Sequence, residues 1–257
     1  MRKIKDSINE MIRPDVQTAA DRTYYEGIET YYAKSPGTNL EKLQAFTKYA
    51  PMAEVNKFLA RYHIFQEILH VQGDILECGV YNGAGLMSWA LFSSILEPLN
   101  HHRKIRGFDT FTGFAKIHQK DRGDLLEIAA EGGLATNACE DISEAIRLYD
   151  KFRMLGHIPK VFLHPGDATK TIPAFLRQNQ HLVVALLYLD FDVYKPTKCA
   201  IETLLPRMPK GAVIAFDELH QIHWPGETRA VLETVGIRNL RIQRLPFQPS
   251  VSFAVLE

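Results

Sequence analysis

The sequence has few cysteines and no excess of charge of either sign. Cys78, Cys139 and Cys199 lie far apart and lack the spacing of a metal site or a disulfide framework, so we expect reduced thiols and a cytoplasmic location. The 30 basic and 30 acidic side chains cancel to a formal net charge of zero. This balance argues against nucleic acid or an anionic membrane as the main partner.

Long apolar runs are also missing. No stretch approaches the ~20 apolar residues of a membrane-spanning helix. The first residues, Met-Arg-Lys-Ile-Lys-Asp-Ser, lack the apolar core of a secretory signal. The chain has 257 residues, 46% of them hydrophobic, and is long enough for one α/β domain with an added element, or for two domains.

The sequence pattern changes near residue 72. Residues 1–72 read as a helical segment, with apolar residues at spacings of three and four between Glu54 and His70. Over 73–257, short apolar runs alternate with helical stretches, which is typical of parallel strands joined by crossover helices. A long connection from Thr110 to Asp141 reads as an insertion near the site and contains Gly113, Gly123, Gly132 and Gly133.

Seven strands and five helices are predicted in the α/β domain. The strands are Asp74–Cys78, Ile105–Phe108, Lys160–Leu163, Leu182–Leu189, Ala212–Phe216, Leu240–Arg244 and Ser250–Leu256. The helices are Ala84–Leu96, Ile142–Met154, Thr169–Arg177, Pro196–Pro206 and Thr228–Thr234. Too few residues join the last two strands for a crossover, so these strands should form an antiparallel hairpin. Such a sheet resembles the Rossmann-like, seven-stranded sheet of class I methyltransferases.

The most informative segment runs from Gly73 to Gly85 and reads as a buried strand, a glycine-rich turn and the start of a helix. This is the layout of a nucleotide or cofactor cradle, in which Gly79 and Gly83 permit a tight turn and close backbone approach to the ligand. Glu77, at the strand end, would repel a pyrophosphate and attract a cation. S-adenosylmethionine, which is cationic and carries no phosphate, is therefore the predicted cofactor.

Further polar residues follow the next strands, where an open parallel sheet binds its ligands. Asp109 is predicted to bind the ribose hydroxyls, and Asp167, after Gly166, to accept from the adenine amino group. Each acid taken alone fits a helix cap or a solvated loop equally well. As a set they favour a cradle whose predicted cofactor-binding residues are Glu77, Gly79, Tyr81, Gly83, Asp109, Thr110, Gly166, Asp167 and Asp190.

Three carboxylates are expected together at the ends of the fourth and fifth strands: Asp190, Asp217 and Glu218. Because like charges repel at short range, such a cluster requires protons or a cation. Oxygen ligands favour a hard cation, so Mg²⁺ is the predicted metal. Coordination would stabilise the alkoxide of an acceptor hydroxyl. In the alternative reading, one or two of the three cap helices or form salt bridges.

Two histidines are candidates for the catalytic base. His220 and His223 follow the carboxylates closely, and on a helical turn they would share one face. Trp224-Pro-Gly226 indicates a loop instead, in which the two histidines would diverge.

A second pattern fits an unrelated class of enzyme. Gly79-Val-Tyr-Asn-Gly-Ala-Gly85 matches the G-x-x-x-G-x-G of short-chain dehydrogenases, and Tyr194-Lys-Pro-Thr-Lys198 matches their Y-x-x-x-K. Both motifs are short and weakly specific, and Pro196 suits the first turn of a helix rather than its interior. An oxidoreductase is therefore the less favoured alternative.

An ordered set of motifs between about Phe58 and Glu233 resembles the macrocin O-methyltransferase family of sugar O-methyltransferases. The motifs are Val71–Ala84, Phe108–Gly113, His164–Pro173, Leu189–Thr197, Phe216–Glu218 and Pro225–Val231. The chain departs from the family pattern at three places: Glu218 replaces an aspartate, Phe191 a glycine, and Lys195-Pro196 an acid–serine pair.

The resemblance implies an enzyme that uses S-adenosylmethionine and Mg²⁺ to methylate a deoxysugar hydroxyl in antibiotic biosynthesis. By the same resemblance, Asp190, Asp217 and Glu218 would be metal ligands, and Asp190 or a nearby histidine would be the base. It also implies a homo-oligomer, with the N-terminal helices as lid and interface. The alternatives are methylation of a catechol or another phenol, and a catalytically silent cofactor-binding subunit.

Overall fold

A computed structural model describes residues 18–122 and 130–257. Residues 1–17 of the predicted helical segment and Gly123 of the predicted insertion lie outside the described residues. The chain forms two compact units, Met1–Val55 and Asn56–Glu257. The predicted role of residues 1–72 as lid and interface stays a prediction.

The described part of the first unit is helical. The backbone N–H of Thr38 donates to the carboxylate of Glu41 at 2.6 Å, a capping-box arrangement that fixes the start of a helix. The elements of this unit are helix α1 (Ala19–Lys34), helix α2 (Asn39–Gln44) and a 3₁₀ turn (Phe46–Lys48). Helix α3 (Met52–Glu67) begins in the first unit and ends in the second.

A seven-stranded sheet forms the centre of the second unit. Its strands are β1 (Asp74–Cys78), β2 (Ile105–Asp109), β3 (Val161–Pro165), β4 (Val184–Leu189), β5 (Val213–Phe216), β6 (Gln243–Leu245) and β7 (Gln248–Val255). The strand order is β3-β2-β1-β4-β5-β7-β6. Strands β1 to β5 are parallel, and β7 runs antiparallel to β5 and β6. This arrangement confirms the predicted class I methyltransferase sheet and its C-terminal hairpin.

The helices between the strands are α4 (Ala84–Leu96), α5 (Cys139–Phe152), α6 (Ala168–Gln178), α7 (Tyr194–Leu204) and α8 (Pro225–Glu233). Strand β1 and helix α4 have the predicted bounds. Helix α7 begins at Tyr194, two residues before the prediction, because Pro196 is accommodated in the first helical turn. Helix α8 begins three residues early, with Pro225 as its first residue, which is a favoured position for proline.

Both faces of the sheet are covered, so its central strands are buried. All six residues of β4 are buried, as expected for a parallel strand with helices on both sides. One core layer contains Phe65, Trp89, Ile105 and Tyr188, and the opposite layer contains Leu76, Phe108, Ile201 and Phe216. Within the described ranges, no helix combines the length and the apolarity that crossing a membrane requires.

The register of the parallel strands brings the candidate residues to one edge. Cys78, the last residue of β1, pairs with Phe108 in β2 and with Leu189 in β4. Leu189 in turn pairs with Phe216, the last residue of β5. The residues that follow these strands therefore emerge side by side at the carboxyl edge of the sheet, where open α/β sheets bind ligands.

Candidate active site

Backbone hydrogen bonds extend the strand pairing one residue beyond the strands. They run from Gly79 N to Phe108 O (2.9 Å), Gly166 N to Asp109 O (2.8 Å), Asp190 N to Cys78 O (2.7 Å) and Asp217 N to Leu189 O (3.0 Å). The first residues after β1, β3, β4 and β5 are thus fixed relative to one another. The predicted convergence of the strand ends is present in the structure.

The glycine-rich turn after β1 approaches β4 too closely for a side chain. Gly79 has φ +100°, and a Cβ at this position would lie 1.9 Å from the carbonyl oxygen of Asp190. Gly83 has φ +83°, and its Cβ would lie 2.8 Å from Ile142. Tyr81, between them, has φ +51° and a 40% exposed side chain. The turn therefore presents bare backbone at both glycines.

Asp109 holds this turn in place. One of its carboxylate oxygens accepts from the backbone N–H groups of Val80 (2.7 Å) and Tyr81 (2.9 Å). The other accepts from the N–H of Phe111 at 2.7 Å. The neighbouring Thr110 hydroxyl donates to the carbonyl of Gly113 at 2.6 Å. Asp109 thus orders the cradle, and its predicted contact with a ribose stays a prediction.

Asp167 caps a helix, which is one of the alternatives that the sequence left open for each acid. Its carboxylate accepts from the backbone N–H of Thr169 at 3.0 Å and from the Thr169 hydroxyl at 2.7 Å. These bonds fix the start of helix α6, and Gly166 before it has φ +127°. Asp167 still lies at the edge of the sheet, where its predicted contact with adenine remains untested.

Glu77 does not lie on the surface of the turn. Its side chain is 1% exposed, and its Oε1 occupies the space that a Cβ on Gly85 would need, beneath the first turn of α4. Burial raises the pKa of Glu77 to about 8, and the positive charge of Arg61 opposes this shift. The sequence argument placed a fixed charge at the turn surface, whereas the structure places a buried carboxyl beneath the first turn of α4.

The raised pKa of Glu77 predicts a pH-dependent cost to folding. As the pH rises from the ordinary value near 4.5 to about 8, the unfolded chain loses this proton and the folded chain keeps it. The free energy of unfolding of the wild type should therefore fall across this range relative to Glu77→Gln, by up to ~1.4 kcal/mol per pH unit. Urea denaturation across the range measures the difference.

A matched control is the exposed Glu140 on α5, changed to glutamine, which should keep the wild-type pH profile of stability. A Glu77→Gln profile parallel to that of the wild type would contradict the assignment of a raised pKa to the buried carboxyl.

Two aspartates, Asp190 and Asp217, follow β4 and β5, and the cations Lys57 and Arg61 act on them. The Tyr188 hydroxyl donates to Oδ1 of Asp217 at 2.6 Å, and the Lys57 ammonium lies 3.7 Å from its Oδ2. Burial, and then the charges of Asp217 and Asp192, hold the pKa of Asp190 well above its usual range. The charges of Lys57 and Arg61 act in the opposite direction. The two aspartates are therefore electrostatically coupled.

The three predicted metal ligands are not assembled as a metal site. In residues 18–122 and 130–257, no group of three His, Cys, Asp or Glu side chains is placed to hold a metal ion. Both carboxylate oxygens of Asp217 face the donors Tyr188 and Lys57. Glu218 is buried, and its N–H donates to the carboxylate of Glu227 at 3.0 Å. The assignment of Asp190, Asp217 and Glu218 as Mg²⁺ ligands therefore stays a prediction.

The two candidate histidines lie in a loop between β5 and α8, not on a helix. His220 is exposed, has φ +71°, and donates its backbone N–H to the Thr228 hydroxyl at 2.9 Å. His223 is half-buried. The loop that Trp224-Pro-Gly226 indicated is therefore present in the structure. Their role as bases stays a prediction.

The tyrosine and lysine of the dehydrogenase-like motif belong to an ion cluster. The Tyr194 hydroxyl donates to Glu233 at 2.6 Å and accepts from Lys198 at 3.2 Å. Lys120, from the predicted insertion, binds both Tyr194 and Glu233. Arg229 donates to the Lys120 carbonyl at 2.7 Å. The cluster thus fastens the insertion to helices α7 and α8, which gives the Y-x-x-x-K pattern a structural role.

Sequence reasoning missed the cations Lys57 and Arg61 beside Asp190 and Asp217. Lys57 and Arg61 stand four positions apart on α3 and therefore lie on one helix face. The signal was present, because Arg61 is flanked by apolar positions such as Phe58 and Phe65 and is itself buried. A buried arginine on an apolar helix face predicts a buried acid opposite it.

Comparison with known proteins identifies the family. The family model described as macrocin O-methyltransferase matches residues 59–234. CalS11, a calicheamicin methyltransferase, has a similar structure, with a TM-score of 0.89, 29% sequence identity and coverage of 93% of each chain. The apo structure of CalS11, described as a TDP-rhamnose 3′-O-methyltransferase in calicheamicin biosynthesis, gives a TM-score of 0.81 at 28% identity, covering 93% of this chain and 95% of that chain.

A more distant structure shares the fold. The O-methyltransferase NovP matches with a TM-score of 0.61 at 18% identity, covering 79% of this chain and 80% of its own. No curated protein sequence matches the chain significantly. The family model covers more than half of the chain and every strand end from Gly79 to Asp217. The chain therefore belongs to the macrocin O-methyltransferase family and is an O-methyltransferase, not a dehydrogenase.

Proposed function

We propose that this protein transfers the methyl group of S-adenosylmethionine to a hydroxyl of a deoxysugar in a natural-product pathway. The observation that carries the proposal is the likeness, over 93% of this chain, to a structure described as a TDP-rhamnose 3′-O-methyltransferase. A sugar acceptor is consistent with the match to the macrocin O-methyltransferase family. The expected homo-oligomer and cytoplasmic location stay predictions from the sequence.

The cofactor half of the edge suits S-adenosylmethionine. Gly79 and Gly83 keep side chains out of the turn, so a nucleoside can lie against bare backbone at the start of α4. Asp109 ends β2, and Gly166 and Asp167 follow β3 at the same edge; these residues are proposed to hold the ribose and the adenine. When bound, the cofactor supplies an electrophilic methyl group.

Asp190 is proposed to accept the proton of the acceptor hydroxyl. Burial and the neighbouring Asp217 raise its pKa well above the ordinary value, and a carboxylate with a raised pKa is a stronger base. Its backbone is fixed by the hydrogen bond to Cys78, and its Cβ lies 3.4 Å from the position that a Cβ on Gly79 would take, so the side chain starts close to the glycine-rich turn. Positioning of the hydroxyl beside the cofactor would supply much of the remaining rate.

No step is assigned to a metal, because among the described residues no group of three His, Cys, Asp or Glu side chains is placed to hold one. Dependence on Mg²⁺ remains a prediction of the family resemblance. It is tested by turnover after exhaustive chelation, with Mg²⁺ restored as the control. Loss of turnover that Mg²⁺ restores supports the prediction, and unchanged turnover rejects it.

Binding and turnover test the proposed function together. Calorimetry should register heat for S-adenosylhomocysteine and none for NADH or NADPH. Incubation with S-adenosylmethionine and a nucleotide-linked deoxysugar should give a product heavier by one methyl group in mass spectrometry. Methylation of catechol but of no sugar, or binding of the nicotinamide cofactor alone, would contradict the proposal.

A further inference from the structure

A buried aspartate in the segment after β2 lies at the start of two helices. Asp121 belongs to the 3₁₀ turn Gln119–Asp121 and is 2% exposed. Its Oδ1 accepts from the backbone N–H of Tyr194, the first residue of α7, at 2.6 Å. Its Oδ2 accepts from the N–H of His118 at 2.7 Å. Both oxygens of this carboxylate therefore hold backbone, one within its own segment and one in α7.

Helix α8 leaves room for the same oxygen. A Cβ on Gly226, the second residue of α8, would lie 2.1 Å from Oδ1 of Asp121 and 2.6 Å from the backbone nitrogen of Tyr194. A residue without a side chain is therefore required at this close approach. Arg229, one turn further along α8, donates to the carbonyl of Lys120 at 2.7 Å. The turn that contains Asp121 is thus packed against the first turns of α7 and α8 together.

These contacts fix the far end of the turn that carries the proposed base. This turn runs from Asp190 to Val193 and joins β4 to α7. Its first residue is held by the hydrogen bond from Asp190 N to Cys78 O, and the residue after it by the bond from Tyr194 N to Asp121. Because the turn is short, its shape follows from these two anchors. Asp121 therefore acts on Asp190 through the backbone.

The same segment of chain begins in the cofactor cradle. Asp109, at the end of β2, accepts from the backbone N–H groups of Val80 and Tyr81 in the glycine-rich turn. The chain that leaves β2 at Asp109 reaches α7 and α8 at Asp121. One segment thus connects the backbone of the cradle to the turn that carries Asp190.

We propose that Asp121 is a positioning residue for methyl transfer, whose carboxylate sets the turn after β4 and the start of α8 relative to the cofactor cradle. The inference rests on the proposed function for the reaction and for the role of Asp190. The acceptor hydroxyl has to be aligned with the methyl group of the cofactor, and a misplacement of about 1 Å can cost roughly a hundredfold in rate. Asp121 supplies this alignment by binding backbone.

Removing the carboxylate should lower the rate per active site and leave cofactor binding unchanged. Asp121→Asn keeps the shape of the side chain but turns an NH₂ group toward one of the two N–H donors. We expect kcat for methylation of a nucleotide-linked deoxysugar, divided by the number of S-adenosylhomocysteine sites counted by calorimetry, to fall about tenfold or more. The affinity for S-adenosylhomocysteine should stay within about twofold. A purely structural role would lower rate and site count in proportion, so the rate per site would not change.

Gly226→Ala tests the same contact from the opposite side, because its methyl group would push Oδ1 of Asp121 away from Tyr194. Its rate per site should fall by a similar factor. The double variant Gly226→Ala with Asp121→Asn should fall no further than the larger single loss, since both changes break one contact. Amide hydrogen exchange at Tyr194 should become faster in each variant, which reports the lost bond without any turnover.

Two controls separate this contact from its surroundings. Asp141→Asn makes the same chemical change at an exposed position in the first turn of α5. Lys120→Met removes the ammonium that binds Tyr194 and Glu233, next to Asp121 in the chain. Both variants should keep the rate per site within about twofold of the wild type. Equal losses in Lys120→Met and Asp121→Asn would assign the effect to the ion cluster and overturn the proposal.

A rate per site in Asp121→Asn within about twofold of the wild type would also overturn it, and so would losses in Asp121→Asn and Gly226→Ala that multiply in the double variant. These outcomes leave the proposed function intact, because the wild type still methylates the sugar. A wild type that binds S-adenosylhomocysteine but methylates no sugar rejects the proposed function, and the positioning role is rejected with it.

Discussion

Replacing Asp190 by Asn should lower kcat for methyl transfer by about a hundredfold or more, because general base catalysis typically contributes that much. The amide has the same shape but accepts no proton at neutral pH. The backbone hydrogen bond from Asp190 to Cys78 is independent of the side chain, so the strand ends should keep their positions. Affinity for S-adenosylhomocysteine, measured by calorimetry, should therefore change by no more than about threefold.

The neighbouring Asp192 supplies a matched control. It has φ +63°, a conformation that asparagine tolerates well, so Asp192→Asn makes the same chemical change two positions away without strain. We expect its kcat to stay within about fivefold of the wild type. Equal losses in both variants would mean that the edge needs negative charge in general, and would remove Asp190 from the role of base.

The pH profile provides a second readout of Asp190. Its pKa lies well above the usual range, so kcat in the wild type should fall as the pH is lowered through that raised value. The residual activity of Asp190→Asn should lack this acid limb. An unchanged limb in the variant would assign the titration to another group.

The sheet could be predicted because its central strands are buried on both faces. Continuous apolar runs predicted β4 and β5 nearly to the residue, and parallel topology then fixed which strand ends share an edge. Strand β6 was predicted at Leu240–Arg244 but runs over Gln243–Leu245. Its first two residues are exposed at the rim of the sheet, so its sequence carries little apolar pattern.

The sequence predicted which residues lie together at the carboxyl edge of the sheet, but not the contacts that their side chains make there. Side-chain direction is set by tertiary neighbours that local sequence does not reveal. Glu77 turns beneath α4 because Gly85 leaves room for it and Arg61 lies close by. Lys57 comes from a helix distant in sequence from Asp217, so no local pattern links the two. A strand-end motif therefore predicts where a site lies, but not which charged side chains from other elements surround it.

Gly79→Ala should destabilise the protein by about 3 kcal/mol or more, the combined size of backbone strain and overpacking. The new methyl group would lie 1.9 Å from the carbonyl oxygen of Asp190 and 2.6 Å from its carbonyl carbon. Both are backbone atoms at the end of β4, so neither can rotate away as a side chain would. Alanine is also strained at φ +100°. Urea denaturation measures the loss of stability.

Two other glycines separate the causes of this loss. Gly132 has φ +78° with nothing within 4 Å of a new Cβ, so Gly132→Ala should show backbone strain alone, about 1 kcal/mol. Gly27, inside α1, has neither a clash nor a positive φ, and Gly27→Ala should be neutral or stabilising.

Gly79→Ala should also give no saturable heat with S-adenosylhomocysteine, because the new methyl group would push the turn away from the backbone of Asp190. If Gly79→Ala is no less stable than Gly132→Ala and still binds the thioether, the contact between the turn and the end of β4 does not shape the cofactor cradle.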